Sequence, residues 1–577
     1  GDGFQQIEEG AMLNSYAGQG LIVATLIFLT GCRLAPAAQT VLVRNGEPQA
    51  SIVLKADAAE DEKLAAEELR DHIEEISGAR LPQVADPAQA KGVPVYIGRA
   101  APQPALQAIR KGGKDPASLR VKVTKDRIQL VGLSPRGTLY ATYELLEQLG
   151  VRWFIPHEIG IVIPENETVA IEHQDTIQHP GFAGRRFGAE KTWFRRVRMG
   201  GFNAGRHGGI VAPDDPDAYM LKGKRGQVKV SHPEVLDLTV ERAREILERE
   251  NVEIHGGRSE QDGVRYVSMG PADGGGFGQS PWDAGDMDPI RGDVSTSDRY
   301  VKFFNKVLER LEDDYPNAGI AFYCYSSHMR PPVREKPDPN ILPVLAPIDV
   351  CRMHAIDNPL CWERAYIRKI VDGWKELGVK IMYRGYLFNL ADQGLPFSMI
   401  RQIAAEYPYY HRQGMIACRV ESKPAWGYQG PSLYLAAKIM WNPDLNVEEL
   451  LDDYFTKFYG PAAAPMRAHF DILEDAYESS DYHTGNVFDI PHILTPKVMR
   501  KMEETLARAE KRVPQDSLYA DRVQMVRMAY DFGNTTMGMM QAVKDFDFVR
   551  AKRLHDRILN EMVPPALEHK PPVLSTY

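Results

Sequence analysis

Residues 380–421 read KIMYRGYLFNLADQGLPFSMIRQIAAEYPYYHRQGMIACRVE. The two ends, 380–386 and 414–421, are short apolar runs with strand character, and 396–407 between them has helical spacing. Strand, polar loop, helix, strand is the repeating unit of a parallel sheet. The same alternation continues outward toward the N-terminus. Further strands are expected at 185–188, 201–204, 264–269, 319–325 and 342–348, with helices at 233–250, 298–311 and 362–377. Seven strands alternating with helices predict an α/β fold whose centre is a (β/α)8-type barrel, irregular because an eighth strand is not visible.

Before the barrel lie strands within 40–55, a helix over 58–77, a strand at 94–98, two strands within 121–133 and a helix over 135–149. That order predicts a small α/β sandwich with a mixed sheet. Residues 134–164, SPRGTLYATYELLEQLGVRWFIPHEIGIVIP, resemble the end of the non-catalytic N-terminal domain of β-hexosaminidases and α-glucuronidases. The resemblance implies that a carbohydrate-active barrel follows. After the barrel, Gly460-Pro461 breaks the chain and 463–567 is almost wholly helical in pattern, with a Met-rich packing face over 525–540. The expected layout is a leader at 1–37, the sandwich at 38–178, the barrel at 179–462 and an all-α region at 463–577.

The leader contains LIVATLIFL at 21–29, followed by Thr30-Gly31-Cys32. The apolar run is too short to span a bilayer comfortably, and it ends in small residues, as secretory signals do. The L-T-G-C ending resembles a bacterial lipobox. It implies a lipid anchor at Cys32, the one expected membrane attachment, on a protein exported to the periplasm or cell surface. No Lys or Arg precedes Cys32. The formal net charge of -9 gives no electrostatic reason to bind nucleic acid. Cys324, Cys351, Cys361 and Cys418 follow no metal-ligand spacing and are read as buried thiols, with one disulfide left open.

In such a barrel, chemistry sits on the loops after each strand's C-terminal end. Those positions offer Arg206 and His207, then Asp273, then Tyr325 and His328, then Asp349 and His354, then Tyr383, Arg384, Tyr386 and Asn389, and last Glu421 and Trp426. Glycoside hydrolysis uses two carboxyl groups, one protonating the leaving oxygen and one attacking or stabilising the anomeric carbon. Asp273 and Glu421 suit those roles best, each following an apolar strand beside small or aromatic residues. Turn chemistry is the competing explanation for Asp273, an ion pair with Arg419 for Glu421, and Asp349 is the alternative second carboxylate. His207, Arg206, Tyr325, Asp349, Tyr383, Arg384, Tyr386 and Trp426 are the candidate substrate-binding residues, and Trp282 and Tyr428 are further candidates for stacking on a sugar. The glycines of 274–278 lack the strand–GxGxxG–helix context of a nucleotide loop. No histidine has a second ligand at metal spacing, so neither a metal nor a cofactor is expected.

Val267 to Gly274, VSMGPADG, resembles the corresponding segment of bacterial proteins carrying domain of unknown function 4838. So do Asp298-Arg299-Tyr300 with Phe304-Asn305, and the stretch from Glu421 through YLAAKIMWNP to YFTKFYGPAA. Members of that group include glycoside hydrolase family 163. The resemblance implies a retaining endo-β-N-acetylglucosaminidase acting on N-glycans, so the expected partner is an oligosaccharide or glycoprotein glycan. Two alternatives stand beside it: a surface carbohydrate-binding protein without turnover, and an enzyme acting on uronic acids, such as an α-glucuronidase or a lyase using Tyr383 and Arg384.

Overall fold

The computed structural model describes residues 38–102, 104–221, 225–249, 256–258, 263–277, 294–388, 394–483 and 487–575. Cys32, Trp282 and Asn389 lie outside them. The N-terminal region is a six-stranded mixed sheet in the order Gln174–Gln178, Leu119–Thr124, Arg127–Gly132, Val93–Ile97, Ala50–Val53, Gln83–Val84. Helices Glu60–Ser77 and Pro135–Gln148 pack against each other beside it. Ser134 begins the second helix by accepting the Gly137 N–H on its hydroxyl, with Pro135 at the first helical position, where a missing N–H costs nothing. Leu69, Ile73 and Ile76 bury the apolar stripe of the first helix.

The chain then enters a second sheet, whose strands are numbered here in chain order: β1 (Gly184–Arg186), β2 (Gly200–Gly201), β3 (Gly256–Arg258), β4 (Arg265–Ser268), β5 (Ala318–Tyr325), β6 (Ile341–Ala346), β7 (Ile381–Tyr386) and β8 (Met415–Glu421). Their spatial order is β2-β1-β8-β7-β6-β5-β4-β3. The six strands from β1 to β4 in that order run parallel, while β2 and β3 are antiparallel additions at the two edges. The irregularity expected from the missing eighth strand takes the form of these two antiparallel edge strands beside six parallel ones. The expected strand at 201–204 survives only as Gly200–Gly201, paired antiparallel to β1.

The sheet curls around a core of its own. Along β5, Ile320, Phe322 and Cys324 belong to the layer shared with the helices. Ala321 and Tyr323 belong to a separate inner cluster with Phe202, Ala204, Tyr266, Leu342, Val344, Met382 and Ala417. Strand residues alternate faces, so an inner cluster drawn from both ends of the sheet requires the sheet to close on itself. The gap between its ends is crossed by residues 203–209, which form no regular ladder. Gly205 N–H donates to Ser268 Oγ at 2.8 Å, Gly208 N–H to the Pro271 carbonyl at 2.8 Å, and Gly209 makes a single parallel bridge to Gly270.

Helices Thr296–Leu311, Trp362–Glu376 and Ile400–Arg412 cover the outside. The C-terminal part is helical as expected, with helices at Ala463–Glu478, Pro496–Glu510, Leu518–Lys544 and Phe548–Arg557. Met525 and Met537 are buried in its packing face. Among the described residues no helix is long and apolar enough to cross a membrane.

Candidate active site

Strand register sets the chemistry of the barrel's interior in layers. Gly184 of β1 lies beside Ala417 of β8, and Ala417 beside Met382 of β7, which pairs with Val344 of β6. These small and apolar residues, with Tyr323, form a floor. Two residues further along each strand the same pairing aligns Arg186, Arg419 and Arg384. One step higher, Tyr386 lies beside Glu421. A period of two along adjacent strands in fixed register thus places three arginines side by side above an apolar plug.

Above the floor opens a cleft of about 730 Å³ lined by these three arginines and by Arg206, Asn203, His207, Asp273, Tyr323, Tyr325, Ile348, Tyr386 and Glu421. Four guanidinium groups face two carboxylates there. Arg384 donates from Nη2 to Glu421 Oε2 at 2.9 Å, and its guanidinium carbon lies 5.7 Å from the centre of the Tyr386 ring. Its buried Nε meets no hydrogen-bond acceptor among the described residues. Arg419 reaches the Gly205 carbonyl at 3.4 Å. The ion pair weighed as the competing explanation for Glu421 exists, but with Arg384 in place of Arg419.

Asp273 stands at the exposed end of the turn after β4, with Oδ1 3.8 Å from His207 Nε2. The His207 ring packs edge-on against Tyr323 at 4.6 Å and Tyr325 at 5.3 Å. Burial pushes its imidazole below the usual value; Asp273 opposes the shift and Arg384 adds to it. Burial raises the Tyr325 phenol, with the charges of Asp273 and Asp349 adding to the effect. Burial also pushes the Tyr386 phenol up to about 12, Glu421 adding and Arg384 opposing. At neutral pH both tyrosines thus keep their hydroxyl protons and offer donors to a ligand.

Of the residues expected from the sequence, Arg206, His207, Asp273, Tyr325, Arg384, Tyr386 and Glu421 come together in this cleft. Tyr383 does not. It occupies the outward phase of β7, buried against Tyr410 at 4.5 Å and Tyr407 at 6.4 Å. Trp426 is not in the cleft either; its ring is buried edge-on against Trp193 at 5.2 Å, and its backbone N–H donates to the Pro572 carbonyl. Tyr428 is likewise buried, hydrogen-bonded through its hydroxyl to His469. Asp349 is exposed and not among the lining residues, although its charge reaches Tyr325. His328 is buried beneath the cleft against Phe277, Tyr300 and Tyr325. The sequence reading missed Arg186, Asn203, Tyr323, Ile348 and the inward direction of Arg419. Counting back two residues from Glu421 would have found Arg419.

Among solved structures, the fold is similar to BtGH115A, described as a family GH115 4-O-methyl-α-glucuronidase with specificity for decorated arabinogalactans. The TM-score is 0.54 at 15% identity, over 90% of this chain and 76% of that one. CpGH89 from Clostridium perfringens, solved with GlcNAc-α-1,4-galactose, aligns with a TM-score of 0.45 at 11% identity over 87% of this chain and 65% of that one. A GH138 enzyme targeting pectin rhamnogalacturonan II aligns with a TM-score of 0.40 at 11% identity over 88% of this chain and 90% of that one. No curated protein sequence matches the chain. Over residues 213–471, which carry β3 to β8 and both cleft carboxylates, the chain matches the family described as domain of unknown function DUF4838.

Proposed function

We propose that the protein is a glycoside hydrolase and that the cleft cuts a glycosidic bond with Glu421 and Asp273 as its carboxyl pair. The observation that carries this reading is their convergence on one cleft at the C-terminal ends of the parallel strands, above the three aligned arginines. Arg384 fixes the orientation of Glu421, which suits the carboxylate that faces the anomeric carbon. Asp273, beside His207 at the exposed side, suits the acid that protonates the leaving oxygen. A retaining mechanism needs the two carboxyl groups about 5–5.5 Å apart, with substrate bound between them.

The arginine layer bears on the sugar. A guanidinium fork matches a carboxylate in two parallel hydrogen bonds, and four guanidinium groups line a cleft that holds two carboxylates, so the lining carries an excess of positive charge. This supports a uronic-acid-containing glycan as substrate. The fold-related enzyme with the TM-score of 0.54 is itself described as an α-glucuronidase. An endo-β-N-acetylglucosaminidase acting on N-glycans remains the second reading, supported by the VSMGPADG segment.

The test is release of sugar from aryl glucuronides, uronic-acid-containing oligosaccharides, aryl N-acetylglucosaminides and N-glycans by the purified chain. Glu421→Gln, nearly isosteric, is expected to lower turnover on the order of 10²–10⁴-fold while leaving the thermal midpoint within a few degrees. Turnover of an accepted substrate that survives the change would sink the assignment of Glu421. Saturable glycan binding with no release from any substrate would favour the non-catalytic binding protein.

A further inference from the structure

Outside the cleft, four buried or half-buried side chains converge. The Sγ atoms of Cys351 and Cys361 and one ring nitrogen each of His354 and His483 all lie within 4.8 Å of one another. Cys351 Sγ is 3.3 Å from His354 Nδ1, Cys361 Sγ is 3.2 Å from His483 Nδ1, and the two imidazoles meet edge-on at 5.0 Å. We propose that these residues form a Cys2His2 site for one zinc ion, which clamps the loop after β6 to the helical C-terminal part.

The ligand set is one that tetrahedral zinc takes, with metal–sulfur bonds near 2.3 Å and metal–nitrogen bonds near 2.0–2.1 Å. Such a tetrahedron has ligand–ligand edges of roughly 3.3–3.8 Å. The two observed S–N distances, 3.3 and 3.2 Å, lie at and just below the short end of that range. The surroundings are prepared for thiolates and neutral imidazoles. His354 Nε2 is 3.0 Å from the Ser480 carbonyl, which only accepts, so Nε2 carries the hydrogen and Nδ1 presents its lone pair inward. The Met353 N–H points at Cys351 Sγ at 3.3 Å. Cys361 stands at the N-terminal cap of Trp362–Glu376, where a negative sulfur meets the positive end of a 15-residue helix. Binding releases one proton from each thiol, and two thiolates with a dication leave the site neutral. That removes the electrostatic cost of burying it.

The site corrects the expectation that His354 has no metal-binding partner. Its ligands are spread over 351–361 and then 483, a separation that no local motif reveals. Glu478 already holds the same loop, accepting the Ala355 N–H at 3.0 Å and, through its backbone carbonyl, the Asn358 side-chain amide at 3.0 Å. The loop also carries Ile348 of the cleft wall and Arg352, whose guanidinium carbon lies 5.3 Å from the centre of the Tyr386 ring. Zinc would therefore fix one wall of the cleft without touching substrate.

The experiment is elemental analysis of the full chain purified without chelator or metal-affinity resin. About one zinc per chain is expected. Stripping with chelator and refilling with cobalt should give the visible bands of a tetrahedral dithiolate site. His483→Ala, at the most exposed ligand, is expected to lower zinc content several-fold, lower the thermal midpoint and abolish its response to chelator. If a misfolded variant makes that comparison uninformative, the stripped and refilled wild-type chain decides. Failure of the natural chain to hold or take up zinc or cobalt at near-stoichiometric level would overturn the proposal. So would a Cys351–Cys361 disulfide in protein isolated without reductant.

Discussion

His207 reports on the charges around it. Its pKa is lowered by burial and by Arg384 and held up by Asp273 3.8 Å away, so neutralising either neighbour has a definite sign. In Asp273→Asn the favourable charge is lost, and the imidazole should titrate at lower pH than in the natural chain. In Arg384→Met the unfavourable charge is lost, and it should titrate at higher pH. Histidine-selective isotope labelling with NMR titration measures both; an unmoved midpoint in Asp273→Asn would place that carboxylate away from the ring. At this scale the sequence was informative wherever a residue's position on a strand end fixed its direction. Glu421, Arg384 and Tyr386 are on inward phases and reach the cleft. Tyr383 sits on the opposite phase, one residue from Arg384, and parity alone sends it into the helix layer. Trp426 follows the end of its strand, where no period constrains it, and the helix Trp426–Trp441 carries it away from the cleft.

Among the elements, those with strong periodicity were legible: β4 to β8 and the helices between them appear within a few residues of where apolar spacing puts them. The closure of the barrel was not, because it depends on contacts that carry no pattern. Residues 203–209 cross the gap by one bridge and single hydrogen bonds, and the family-like VSMGPADG segment supplies their partners through Ser268, Gly270 and Pro271. Asp298, also in the resembling segments, serves a loop: it accepts the N–H groups of Val333, Arg334 and Glu335 at 2.7–2.9 Å. Gly205 is the tight point of the crossing. Its φ is +84°, and a Cβ there would sit 2.7 Å from Val344 Cγ2 and 3.0 Å from Tyr323 Cε1. Gly208 has a similar φ of +74° but open space around it. Gly205→Ala is therefore expected to cost about 1–3 kcal/mol more than Gly208→Ala, since only it adds overpacking to backbone strain. It should also weaken turnover by shifting Arg206 and His207. Equal losses of thermal midpoint in the two variants would count against this closure.

Across the whole molecule, a buried ionic cluster ties the N-terminal sheet region to the barrel. Glu147, from the helix Pro135–Gln148, accepts Arg198 at 2.7 Å and also Lys438 from the helix Trp426–Trp441. Arg152 adds a 2.6 Å pair to Asp453, and Arg522 donates to the carbonyls of Ile159, Ile161 and Phe458. None of this was visible in the sequence, because the partners lie as far as 363 residues apart. Burial alone would raise the Glu147 carboxyl, but Arg198 and Lys438 outweigh it and bring it down to about 2 from an ordinary 4.5. A folded pKa below the unfolded one makes the carboxylate stabilising above pH 4.5, with that stability lost as pH falls from there toward 2. Glu147→Gln leaves the buried Lys438 ammonium without its carboxylate and Arg198 with Glu144 alone, so it should lower stability by about 3–5 kcal/mol at neutral pH. The deficit should shrink as the natural chain is acidified through that window, because protonated Glu147 loses the same charge. Thermal midpoints of both chains across the window measure it. A constant gap between the two curves would mean that Arg198 and Lys438 do not lower the Glu147 carboxyl in the fold, and the contact between sheet region and barrel would then rest on apolar packing around Trp153 and Trp441.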